Sequence, residues 1–140
     1  MNWNERYAKK SAEDKVWKQL LKSYPESTMG WVKDAHWIGP VEIPIKQVDF
    51  SNEKTWAAHH EPELVNSKMK KIKKGKGKPV VLVKTPENEK YIIIDGHHRS
   101  MAYKKLGEPI TGFVAYVKSE KGPWDEFHAK QYKDDPESEV

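Results

Sequence analysis

The sequence contains no cysteine. That excludes a disulfide framework, a thiolate zinc site and a cysteine nucleophile. Arginine is nearly as scarce: Arg6 and Arg99 are the only two, so the basic charge comes from lysine. Lysine is a compact, well-hydrated charge, whereas arginine offers a rigid fork of donors suited to phosphate or carboxylate. No apolar run approaches the roughly 20 residues of a membrane helix. The segment Met1–Arg6 has none of the apolar stretch of a secretion signal. A soluble, cytoplasmic protein that does not engage a membrane is therefore expected.

What is present fits one folded domain. The chain has 140 residues, of which 33% are charged, with a net charge of +4. Six Trp, six Tyr and three Phe argue against disorder, because chains that cannot fold lack large apolar side chains. Ser11 followed by Asp14 resembles a capping box. Beyond it, Trp17, Leu20, Leu21 and Tyr24 fall on one helical face, and Pro25 ends the helix. The stretch Thr28 to Trp37 reads as a helical turn that lays Trp31 and Trp37 on the core.

Val41 to Ile45 reads as a short strand, with Pro44 placing it at an edge or a strand end. Asp49 to His60 reads as a polar loop. Pro62 to Lys73 reads as a helix with Leu64, Val65, Met69 and Ile72 buried, broken by Gly75 and Gly77. Pro79 to Lys84 and Lys90 to Asp95 are apolar runs separated by Thr85-Pro86-Glu87-Asn88, the pattern of a strand pair. A helix through Met101, Ala102 and Leu106 stops at Gly107, and Ile110 to Val117 is a last strand. The expected class is α/β (α+β), a small mixed sheet flanked by helices. Three parts are expected: an N-terminal helical extension over residues 1–40, a core over 41–118 and a polar tail over 119–140.

The most informative segment is Asp95-Gly96-His97-His98-Arg99-Ser100, where a buried strand runs through a glycine straight into a helix. The first amides of a helix lack intrahelical acceptors, and the helix dipole places partial positive charge there. Glycine lets the backbone turn and lets a ligand approach. Together these features form an anion site, with phosphate the usual guest. His98 and Arg99 add donors in the first turn. Cations are unfavourable at that end of a helix, so a bound anion is expected to compensate them. Plainer readings stand beside this one: Asp95 as a helix cap, His97 and His98 as packing residues, Arg99 paired with a carboxylate. No metal site is expected, because adjacent histidines point apart.

The order of strand, Gly-x-x-Arg, helix, Leu106-Gly107 and closing strand resembles the ParB/sulfiredoxin superfamily over roughly Val41 to Val117. The resemblance implies a ParB/sulfiredoxin-like fold whose loop, Gly96, His97, His98, Arg99 and Ser100, holds a nucleotide. Sulfiredoxins carry their reactive cysteine where His97 stands, so that redox chemistry is not implied here. Chromosome-partitioning proteins have Glu-Arg in place of His97-His98 and continue into a helix-turn-helix, for which the tail beyond Val117 is too short. The free-serine kinase branch has a loop of the form Asp-Gly-x-His-Arg, which residues 95–99 match. That branch implies ATP, ADP or CTP with Mg²⁺, and phosphotransferase or nucleotide-hydrolase activity. Its catalytic roles fall on Asp95, His98 and Glu53, with Asp49 as a rival to Glu53 for the base.

Two other functions follow from the same resemblance. One is a ParB-like nuclease or DNA-binding module. The other is a non-enzymatic phage or prophage structural or adaptor protein, located in the host cytoplasm or the virion. The expected partners are thus a nucleotide or phosphorylated small molecule, nucleic acid, or a phage structural protein. Seven lysines between Lys68 and Lys78 could steer a phosphate backbone, although a solvated helix end explains them as well. His59-His60-Glu61-Pro62-Glu63 looks like a metal cluster, but acidic residues leading into a helix account for Glu61 and Glu63 equally well.

Overall fold

Val80, Val81, Leu82 and Val83 are all completely buried, and a strand apolar on both faces must lie inside a sheet covered on both sides. The computed structural model describes residues 3–51, 55 and 58–118, with 3–10 described by backbone alone. Its elements are α1 (Trp3–Leu21), α2 (Gly30–Asp34), β1 (His36–Ile43), β2 (Val48–Asp49), α3 (Pro62–Lys73), β3 (Val80–Lys84), β4 (Tyr91–Asp95), α4 (His97–Leu106) and β5 (Ile110–Tyr116). The five strands form one mixed sheet in the order β1-β5-β3-β4-β2. β1 runs antiparallel to β5 and β3 antiparallel to β4, while β3–β5 and β2–β4 are parallel. The fold is α+β, as the sequence implies.

The two faces of the sheet bury different helices. Val81, Val83, Ile94, Phe113 and Ala115 pack with Ala12, Val16 and Leu20 of α1 and with Trp31, Val32 and Trp37. On the opposite face, Val80, Leu82, Ile93, Ile110 and Val114 pack with Tyr103 of α4 and against Ile72 of α3. Val65, Met101 and Ala102 join α3 to α4. Alternation along β3 and β5 assigns successive side chains to opposite faces. Trp37 is fully buried and donates from Nε1 to Val32 O at 2.7 Å, satisfying its polar atom inside the core.

Several boundaries differ from the sequence reading. α1 starts at Trp3 and runs through Ser11, because nothing in the local sequence prevents the helix from continuing upstream of the Ser11-Asp14 pattern. Its buried stripe is Ala12, Val16 and Leu20, and Leu21 is 42% exposed. β1 begins at His36, so the boundary drawn at residue 40 falls inside a strand. Its pairing with β5 shifts register between Ile38 and Val41. There Gly39 has φ +124° and an added Cβ would stand 2.8 Å from Gly112 O, so only glycine fits. Val48–Asp49, read as leading into a loop, forms a short strand beside β4. In α3, Val65 is buried but Leu64 is 41% exposed. The 119–140 tail lies outside the described residues.

Candidate phosphate-binding turn

β4 ends at Asp95, and α4 begins two residues later. Gly96 occupies the N-cap position with φ +88° and ψ 41°, and no side chain caps the helix. A Cβ there would lie 2.9 Å from Val80 Cγ1 and 3.0 Å from Arg99 Nη2. Both the left-handed backbone and the close packing therefore require glycine. The first closing bond of the helix runs from Ser100 N to Gly96 O at 2.8 Å.

Asp95 does not cap the helix; its carboxylate turns towards α1. Oδ2 accepts from Arg99 Nη2 at 3.1 Å and from Gln19 Nε2 at 3.2 Å, and Oδ1 accepts from Tyr24 OH at 3.2 Å. The start of β3 completes the network. Pro79 O accepts from Arg99 Nη1 at 2.9 Å and from Gln19 Nε2 at 3.0 Å. Arg99 thus bridges the end of β4 and the start of β3, while α1 clamps both from the other side. Asp95 and Arg99 are largely buried, with 16% and 14% side-chain exposure. A carboxylate in this setting acts as an anchor for the guanidinium.

The two histidines diverge. His97 is buried, and its Nδ1 lies 2.8 Å from Thr55 Oγ1. His98 is partly exposed, and its Nε2 lies 3.1 Å from Oε1 of Glu61, the N-cap residue of α3. The basic first turn expected to need a bound anion thus already faces two protein carboxylates, Asp95 for Arg99 and Glu61 for His98. Ser100 is fully buried, and its Oγ has no hydrogen-bond partner among the described residues.

The fold therefore brings Asp95, Gly96, His97, His98, Arg99 and Ser100 together at one junction. Glu53 lies outside the described residues. Asp49, the rival base, holds its own chain: Oδ1 accepts from Ser51 N at 2.8 Å and Ser51 Oγ at 2.6 Å. In the His59–Glu63 segment, Glu61 stands at the N-cap position of α3 without a side-chain capping bond, Pro62 begins the helix and Glu63 lies in its first turn. The rings of His59 and His60 meet edge to face. Among the described residues no group of three or more His, Asp or Glu is placed to hold a metal ion, and no helix is long and apolar enough to cross a membrane.

Sequence reasoning missed Gln19, Tyr24, Glu61 and the Pro79 carbonyl as parts of this junction. One signal was available: Asp95 and Arg99 are spaced i,i+4 across the helix start, a spacing at which side chains meet. A second was Gln19, a polar residue beside Val16 and Leu20 on the buried side of α1.

No family model matches the chain. Among curated proteins it is similar to an uncharacterized protein of Methanocaldococcus jannaschii, 31% identical over 111 residues. The match covers 77% of this chain and 42% of that relative, so the chain spans less than half the relative's length.

Proposed function

We propose that this domain binds a phosphate-bearing small molecule, a nucleotide being the leading candidate, at the β4–α4 turn. One observation carries the reading: a glycine-only backbone turn leads straight into an uncapped helix of ten residues. Such an end presents amide donors and the positive end of the helix dipole to an anion. The likeness to the ParB/sulfiredoxin pattern supports the same placement. Arg99 contributes as a guanidinium held in position by Asp95 and Pro79 O, and Ser100 carries a buried hydroxyl without a hydrogen-bond partner among the described residues in the first turn of the helix.

The chemistry divides among the residues by environment. Asp95 accepts three hydrogen bonds, one from a guanidinium, and so is suited to orienting Arg99. It is not assigned to a protein-held Mg²⁺, because three hydrogen bonds already engage its carboxylate and no group of three or more His, Asp or Glu is placed to hold a metal ion among the described residues. A metal ion, in this reading, enters on the ligand's own phosphates. His98, partly exposed and beside Glu61, is the titratable group of the first turn that solvent reaches, and it is our candidate for proton transfer in a phosphotransferase or hydrolase.

The test is calorimetric titration with ATP, ADP and CTP in the presence of Mg²⁺, alongside amide shift mapping by NMR. Binding with shifts at residues 96–100 is the expected result. Arg99→Ala should weaken that binding by about 1.5–3 kcal/mol, the range for a charge-assisted hydrogen bond. Absence of heat and of amide shifts with all three nucleotides would refute the reading. Retention on DNA that falls steeply with salt would instead favour a nucleic-acid-binding module.

A further inference from the structure

Asp95 and Arg99 meet through one oxygen and one nitrogen. Arginine–carboxylate pairs often close two parallel bonds, with the guanidinium fork on both carboxylate oxygens. Here Arg99 Nη2 donates to Asp95 Oδ2 at 3.1 Å, while Nη1 turns to Pro79 O at 2.9 Å. Asp95 Oδ1 accepts instead from Tyr24 OH at 3.2 Å. Gln19 Nε2 bridges the same two oxygens that hold Arg99, Asp95 Oδ2 at 3.2 Å and Pro79 O at 3.0 Å. An amide nitrogen carries two protons, so this bridge engages both of them.

The guanidinium therefore keeps donors in reserve. Its terminal nitrogens each give one bond to the protein, and its Nε–H has no acceptor among the described residues. Nε and Nη2 lie 3.1 and 3.0 Å from the point where a Cβ on Gly96 would stand, so the group lies against the glycine turn. A carboxylate free to swing would close a second bond on the guanidinium and occupy those donors. Gln19 and Tyr24 prevent this by holding both oxygens of Asp95 from the other side. Tyr24 lies in the turn after α1, and its N–H donates to Leu20 O at 2.9 Å, so both residues are carried by the end of that helix.

We propose that Gln19 and Tyr24 are positioning residues of the anion site: they hold Asp95 in a single-bond pairing with Arg99, and so keep guanidinium N–H groups available to a phosphate at the β4–α4 turn. The inference rests on the phosphate-binding reading of that turn. In this arrangement neither residue touches the ligand. Both act through Asp95 on Arg99, and the seating of α1 on the sheet thereby sets how strongly the guanidinium takes an anion. A plainer role, in which the two contacts only fasten α1, predicts something different. Under it, ligand affinity would not respond to these two side chains any more than to other contacts of the helix.

The experiment uses the full chain, with ATP and Mg²⁺ titrated by calorimetry and the Arg99 Nε–H followed by NMR, a signal simple to assign with only two arginines in the sequence. Tyr24→Phe keeps the ring and removes the hydroxyl that holds Oδ1. Affinity for ATP is expected to fall about tenfold, the weight of one charge-assisted hydrogen bond. In the free variant the Nε–H signal should shift as the released carboxylate closes on the guanidinium. Gln19→Met should act in the same direction. In an Arg99→Ala background, Tyr24→Phe should cause no further loss, because the group it acts through is gone. Val16→Ala, which trims a fully buried contact of α1 with the sheet and leaves Asp95 untouched, should lower stability but not affinity. Unchanged affinity in Tyr24→Phe, or an equal loss in Val16→Ala, would overturn the positioning role and leave the turn standing. A Tyr24→Phe loss that persists in full without Arg99 would overturn it too. If the unsubstituted protein gives no heat with ATP and no amide shifts at residues 96–100, the phosphate reading itself fails and the positioning role falls with it.

Discussion

Removing the Asp95 carboxylate tests whether the junction of α1, β3, β4 and α4 is held by this network. In Asp95→Ala, Arg99 keeps its bond to Pro79 O and Gln19 keeps its own bond to the same oxygen. What is lost is the ion pair and the two bonds from the uncharged donors Gln19 and Tyr24. Breaking a fully buried ion pair costs about 3–5 kcal/mol, and an exposed one contributes at most about 1 kcal/mol. With side chains 14% and 16% exposed and Arg99 still partnered, this pair falls between, at about 2 kcal/mol. The two bonds from uncharged donors, both long at 3.2 Å, add roughly 0.5 kcal/mol each, so the expected loss is about 3 kcal/mol. Urea denaturation should show the midpoint falling by about 1.5 M for a slope of about 2 kcal/mol/M, with the slope unchanged. Asp95→Asn should lose about half as much, because the amide oxygen still accepts but the charge is gone. A loss below about 0.5 kcal/mol in Asp95→Ala would refute the account and reduce the contacts to surface decoration.

Two further outcomes follow from local geometry. Gly96→Ala forces a Cβ into a left-handed position 2.9 Å from Val80 Cγ1, so stability should fall by roughly 2 kcal/mol in the same urea assay; a neutral result would mean the turn relaxes freely. Tyr116 is raised from 10.0 to about 12, first by its hydrogen bond with Tyr91 and then by burial. The folded state therefore holds that proton more tightly than the unfolded chain. The stability this supplies is complete below the unfolded value of 10.0 and is lost as pH climbs through about 12. Tyr91→Phe should bring the Tyr116 titration, followed by tyrosinate absorbance, down towards the ordinary value. An unchanged titration would show that Tyr91 is not the cause.

By itself the sequence determined the elements whose limits are written in local chemistry. β3, β4, α4 and β5 are apolar runs punctuated by Pro79, Gly96 and Gly107, and each appears within a residue or two of where those signals place it. The strand–glycine–helix turn was legible for the same reason. Only a glycine tolerates the backbone angle at residue 96, and the periodicity changes there from strand to helix. Trp31 and Trp37 were also legible as core, since side chains of that size seldom stay in water in a folded domain.

Tertiary structure alone decided which partners those residues take. Gln19 meets Asp95 across 76 residues of chain, Tyr24 meets it across 71, and Glu61 meets His98 across 37. No local preference encodes such pairings, because they arise only when α1 is laid on one face of the sheet and α3 packs against α4 on the other. The same docking made Asp95 the anchor of Arg99 rather than the cap of its own helix. Sequence specifies chemical type and backbone angle residue by residue. The electrostatic role of a charged group depends on what the fold sets within a few ångströms of it.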